Sequence, residues 1–117
     1  MDIGKDLVAA SATPLVLAIL SEGESYGYAI IKRVDELSGG ELQWTDGMLY
    51  PVLHRLERNG LVKASWGRSE SGRRRKYYRI TDEGSDELAR QRRQWRVVNE
   101  TLRSTPFMSL QLMPQGI

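Results

Sequence analysis

Residues 45–80 read TDGMLYPVLHRLERNGLVKASWGRSESGRRRKYYRI, and the change of period inside this stretch decides the fold. In its first part Leu49, Val52, Leu53 and Leu56 recur at helical spacing, so one stripe of a helix is apolar. Thr45 is placed to cap that helix, Asp46 falls in its positively polarised first turn, and Asn59-Gly60 ends it. From Leu61 the pattern becomes β-prone. Leu61–Trp66 and Lys76–Ile80 predict two short strands joined by the polar, glycine-bounded loop Gly67–Gly72. A helix that runs straight into a hairpin with a basic loop is the kernel around which the rest is read.

Upstream, Ser25 is a cap candidate for a helix reaching about Leu37, with Ala29, Ile30, Val34 and Leu37 on one face and Gly39-Gly40 closing it. The segment Asp2–Ser21 carries Ile3, Leu7, Val8, Leu15, Leu17, Ile19 and Leu20 without strict alternation, which predicts helix. Pro14 interrupts it, and Thr13-Pro14 reads as a cap followed by proline at the first helical position. That predicts either a kink or an N-terminal helical arm followed by a core helix from Pro14 to Ser21. Downstream, Thr81 caps a fourth helix with Asp82 and Glu83 at its favourable end, running to about Arg103 before Pro106. Residues 107–117 are apolar but broken by Pro114 and Gly116, and stay unassigned. The expectation is a mainly α fold with a small β-hairpin. It comprises a winged helix-turn-helix with an N-terminal helical arm over residues 1–81, a dimerisation helix over 82–104 and a tail over 105–117.

Composition narrows the function. The 117 residues hold 40% hydrophobic and 27% charged residues, ordinary for a soluble protein, with no run apolar enough for a membrane span and no secretory signal. The absence of cysteine excludes disulfides and thiolate metal sites, and the whole fits the cytoplasm. Net charge is only +2, but its distribution is uneven. From Arg68 to Arg79 stand Arg68, Arg73, Arg74, Arg75, Lys76 and Arg79 against a single Glu70, while Asp82, Glu83, Asp86 and Glu87 follow as an acidic cluster. Basic charge gathered on a hairpin behind a slender helix suits double-stranded DNA, the helix entering a major groove and the hairpin reaching backbone or minor groove.

The ordered motifs extend this. Ser25-Tyr26-Gly27-Tyr28, the run Gly47-Met48-Leu49-Tyr50-Pro51-Val52-Leu53-His54-Arg55-Leu56-Glu57, Gly60-Leu61-Val62, Gly72-Arg73-Arg74-Arg75-Lys76-Tyr77-Tyr78 and Ile80-Thr81-Asp82-Glu83-Gly84 occur in that order. In these residues the chain resembles the PadR family of transcriptional regulators, and its single C-terminal helix resembles the short subfamily in which that helix builds the homodimer. The resemblance implies a repressor that binds a pseudo-palindromic operator and is released by an effector, with no cofactor. Gly47-Met48 departs from the Gly-Thr pair frequent in the family, which bears on the operator sequence rather than the fold.

On this reading the DNA-contacting residues are Tyr26, Lys32, Thr45, Asp46, Gly47, Met48, Tyr50, Pro51, His54 and Arg55, with Arg73, Arg74, Arg75 and Lys76 at the hairpin tip. The plainer reading of the third helix is a solvated polar face, and of Arg73–Lys76 a solubilising loop; their adjacency favours DNA. Pro51 breaks a local rule, so the first turn is expected to bend away or the regular helix to begin later. His54 is the only histidine and fits a helix-surface or packing role better than a metal site. In the fourth helix Leu88, Trp95, Val98 and Leu102 form a narrow seam suited to dimerisation. Trp95 is read as a dimer anchor first; in multidrug-sensing relatives a tryptophan at the matching place stacks flat aromatic ligands. A planar aromatic effector would then be lined by Val8, Ala12, Leu15 and Trp95. Trp66 is read as packing. A protein-interaction module is the second class, and an enzyme the weakest: there is no phosphate-cradling glycine loop and no paired carboxylates.

Overall fold

The computed structural model describes residues 1–106. It contains α1 (Lys5–Ser21), β1 (Ser25–Tyr26), α2 (Gly27–Leu37), α3 (Asp46–Arg58), β2 (Val62–Arg68), β3 (Arg74–Ile80) and α4 (Asp82–Arg103). The unassigned tail 107–117 lies outside the described residues. α1, α2 and α3 pack on one another, and the antiparallel sheet, in the order β1-β3-β2, closes the open side of that bundle. Val16, Leu17, Ile30, Leu49, Leu53, Leu56, Val62 and Tyr78 form the centre of the core. Three helices followed by a hairpin wing make this a winged helix-turn-helix, extended by α4, which packs on α1 and β3.

The caps explain the boundaries. Thr45 Oγ1 accepts from the Met48 amide at 3.3 Å and Thr81 Oγ1 from the Gly84 amide at 3.0 Å, each satisfying a donor that the first turn leaves free. After α2 the chain turns through Gly39 and Gly40 at φ of +62° and +85°, which a side chain would strain. On α4 the Glu87 carboxyl is held below its ordinary range by bonds from Arg90 and Gln91, one turn further along.

Several sequence expectations change. α1 is one helix through Pro14, not an arm and a core helix. Thr13 lies inside the continuous helix and so does not cap; its hydroxyl accepts from Arg55 Nη2 at 3.0 Å instead. The proline removes the bond to the Ala10 carbonyl, and Ala10 is exposed, so water can replace the missing donor. Burial of Val16, Leu17, Ile19 and Leu20 holds the following turns. Pro51 likewise sits inside a continuous α3, where the carbonyl it leaves without a donor belongs to exposed Gly47. Ser25 caps nothing. With Tyr26 it forms β1, paired to Tyr78 and Tyr77 of β3, and Tyr26 is the residue at the α2 boundary. Leu37, expected on the buried face, is exposed at the helix end. The hairpin strands are longer and the loop shorter than expected, so Arg74, Arg75 and Lys76 lie in β3, and only Arg73 of that run remains in the tip.

Candidate nucleic-acid interface

α3 is amphipathic by construction. Leu49, Val52, Leu53 and Leu56 bury against the other helices, which leaves Asp46, Gly47, Met48, Tyr50, Pro51, His54 and Arg55 on the outside. Tyr50 is partly anchored: a Cβ on Gly27 would stand 2.5 Å from its hydroxyl, so the missing side chain at the start of α2 makes room for it. The Tyr50 and His54 rings follow each other along the outer face with centroids 6.5 Å apart. Arg55, expected on DNA, is turned toward α1 by its bond to Thr13. Lys32 on α2 shares a shallow depression with Glu22, Glu24 and Glu36, poor company for a phosphate.

The wing carries the strongest charge pattern. In the β2–β3 register Lys63 stands opposite Arg79 and Arg68 opposite Arg74. Like charges directly opposite each other weaken a hairpin, and an anion between them relieves the repulsion. Arg68 and the tip are held by local bonds: Arg68 Nη1 donates to the Gly72 carbonyl at 2.9 Å, and the Ser69 amide to the Arg73 carbonyl at 2.9 Å. Arg74, Arg75 and Lys76 rest on aromatic faces or an acid. Arg75 lies 3.8 Å above the Tyr26 ring, which meets Tyr77 edge-on at 5.8 Å, so Tyr26 and Arg75 staple β1 to β3. Arg74 lies 4.4 Å above Trp66, and Lys76 Nζ is 3.8 Å from Glu57 of α3. Trp66, read from sequence as packing, is instead 60% exposed. The like-charge register and the exposed indole were missed because they depend on strand pairing; alternation through the charged run Arg74–Arg79 was the one available signal.

The four residues expected around an effector do not come together within one chain. Leu15 and Trp95 line an apolar groove of about 420 Å³ between α1 and α4, with Leu7, Pro14 and Leu88. Val8 and Ala12 face the other way, onto a groove of about 450 Å³ beside Met48, Val52 and Arg55. The helical period separates them: one set of turns looks at α4, the other at α3. The dimerisation seam is also uneven. Leu88 is only 6% exposed, inside its own chain's core, whereas Val98 and Leu102 are 52% and 57% exposed. Among the described residues no three His, Cys, Asp or Glu side chains are placed so that they could hold a metal ion, and no helix is long and apolar enough to cross a membrane.

Comparison with known proteins agrees with this architecture. Residues 16–90 match the model of the Transcriptional regulator PadR-like family. A transcriptional regulator from Clostridium thermocellum superposes with a TM-score of 0.80 at 31% identity, over 89% of this chain and 98% of that one. A PadR family transcription regulator from Clostridium difficile R20291 has a TM-score of 0.71 at 34% identity, over 80% and 95%. The transcriptional regulator YqjI of Escherichia coli K12 is 30% identical over 90 residues, which cover 77% of this chain but 42% of that longer protein.

Proposed function

The chain belongs to the PadR-like family of transcriptional regulators, and from that membership we propose that it is a homodimeric repressor reading a pseudo-palindromic operator. It is a regulator, not an enzyme. Each copy presents the outer face of α3 to a major groove, while the wing grips the flanking backbone. The observation that carries this reading is the wing register, where Lys63 faces Arg79 and Arg68 faces Arg74 beside the exposed face of α3. A hairpin that accepts such repulsion in isolation is suited to a polyanion, and duplex DNA supplies regularly spaced phosphates. A two-fold dimer built on α4 places its two recognition helices about one DNA turn apart, roughly 34–36 Å. The α1–α4 groove, with Trp95 in its wall, is the place for a planar aromatic effector, completed by the second copy. The expected setting is the cytoplasm.

The test is a titration of the purified chain against the DNA upstream of its own coding sequence, at two salt concentrations, with unrelated DNA as control. Strong preference for the cognate fragment is expected. In the same assay, Arg73→Ala with Arg74→Ala should weaken binding to every sequence and reduce the salt slope by about two, one for each cation withdrawn from the DNA. An unchanged slope removes the wing from the DNA interface. Equal, weak binding to both DNAs that vanishes at moderate salt would instead leave a winged-helix module for a protein partner.

A further inference from the structure

Alternation along the hairpin puts Val62, Ala64, Trp66, Arg74, Lys76 and Tyr78 on one face. At the base of that face Val62 and Tyr78 are sealed in the core; halfway out Lys76 reaches Glu57 of α3. Beyond it stands Trp66, with the Arg74 guanidinium 4.4 Å from its ring centroid and more than half of its surface in water. The direction is thus set by the sheet: indole and guanidinium project from the side of the wing that turns toward α3. A cation stacked on an indole is oriented by the ring's electron-rich face, which favours the two groups projecting together. The charges on the wing are almost all positive, Glu70 being its lone acid.

Resting on the reading of α3 as the major-groove element, we infer that Trp66 and Arg74 form a minor-groove contact unit that selects operators by flanking groove width. With α3 in a major groove, the wing beside it overlies the next minor groove. The Trp66 ring lies against the sugar edges of the groove wall and loses its water, while Arg74 enters the zone of negative potential, which deepens as the groove narrows. Narrow grooves are those of A·T tracts, so the preference is for A·T-rich flanks, without hydrogen-bond reading of individual bases. The partner is double-stranded DNA, to which the surrounding cations are complementary; a protein partner or a second copy on this face is an outcome of the test.

The experiment measures binding of the full chain to two fluorescent duplexes that share the upstream core sequence and differ only in their flanks, A-tract or G·C. The native protein should prefer the A-tract duplex. Trp66→Ala should lose about tenfold on that duplex, corresponding to about 1.4 kcal/mol, and much less on the G·C one, with an unchanged salt slope. Trp66→Phe should retain most of the preference, and Arg74→Ala should lower both the preference and, by about one, the slope. In the native protein the A-tract duplex should shield the exposed indole from acrylamide quenching, a readout that needs no variant. Equal loss by Trp66→Ala on both duplexes, no loss, or unshielded fluorescence overturns the inference while leaving DNA binding intact. A change of oligomeric state in Trp66→Ala, seen by sedimentation, reassigns the ring to a protein interface and also overturns it. Failure of the native chain to bind either duplex overturns the proposed function itself.

Discussion

Tyr78 shows how much one atom can cost. The residue is 1% exposed, and among the described residues its hydroxyl has no hydrogen-bond partner. Burial pushes its ionisation above the ordinary tyrosine value of 10.0, with Glu57 and Tyr50 adding repulsion. The sign follows: between that value and the folded one only the unfolded chain gives up its proton. Stability is therefore fully present below about pH 10 and falls as pH rises through the folded pKa. Tyr78→Phe should raise stability by about 1 kcal/mol in urea denaturation at neutral pH, and lose less than the native chain at alkaline pH. A decrease of that size instead would mean that the hydroxyl is bonded in the folded protein. Gly47 is the complementary case. Its φ is not positive, and a Cβ there would meet nothing closer than Thr45 Oγ1 at 3.8 Å, so neither backbone nor packing demands glycine. Gly47→Ala should stabilise α3 by roughly 0.5–1 kcal/mol. It should also weaken operator binding severalfold if the proposed function holds, because the added methyl would stand on the face proposed to approach DNA. Unchanged operator affinity would remove Gly47 from the interface.

At the scale of the element, the legible features were those with local chemistry. Thr45 and Thr81 cap through their own hydroxyls, Gly39 and Gly40 take the left-handed backbone, and the stripe from Leu49 to Leu56 is buried as its spacing predicted. What escaped depends on neighbours distant in sequence. β1 is only two residues long and exists because β3 offers an edge; the outer part of β3 is hidden under a run of charge. Both prolines were given too much weight, since tertiary burial carries the helices past them. Of the proposed interface, the exposed outer face of α3 and the basic wing were visible in sequence. The Arg55–Thr13 bond, the splitting of the effector quartet and the burial of Leu88 required the third dimension. The junction between wing and α4 makes a sharp prediction. A Cβ on Gly84 would fall against the Leu61 carbonyl oxygen and Ile80 Cγ1. Backbone cannot step aside as a side-chain tip does, so α4 must lift from the hairpin base. Gly84→Ala should cost about 2–3 kcal/mol in thermal unfolding despite alanine's better helix propensity. A stabilised protein would show that the two elements are not packed this tightly.

The described part of the molecule is elongated, 61 by 28 by 22 Å, with the outer half of α4 carrying mostly exposed side chains. Val97, Val98 and Leu102 are exposed on that half, and the α1–α4 groove opens alongside Leu7 and Trp95. A helix of 22 residues is about 33 Å long, and a lone helix end with apolar side chains in water gains nothing from its length unless another copy covers it. The same helix therefore holds two kinds of apolar residue, which mutation should separate. Leu88 serves the chain's own core, so Leu88→Ala should destabilise folding by about 2–5 kcal/mol. Val98→Glu with Leu102→Glu touches only exposed positions and should leave each winged helix folded by circular dichroism. In sedimentation equilibrium the native chain is expected to be a dimer, and that variant should be a monomer at the same concentration. Its operator affinity should fall by more than tenfold, because two half-sites held on one rigid body become two independent encounters, and the effective concentration that couples them disappears. Non-specific affinity per chain, set by wing charge that the substitutions leave in place, should change much less. A variant that stays dimeric would locate the self-association surface elsewhere on the chain. One that becomes monomeric yet keeps full operator affinity would separate dimerisation from DNA reading.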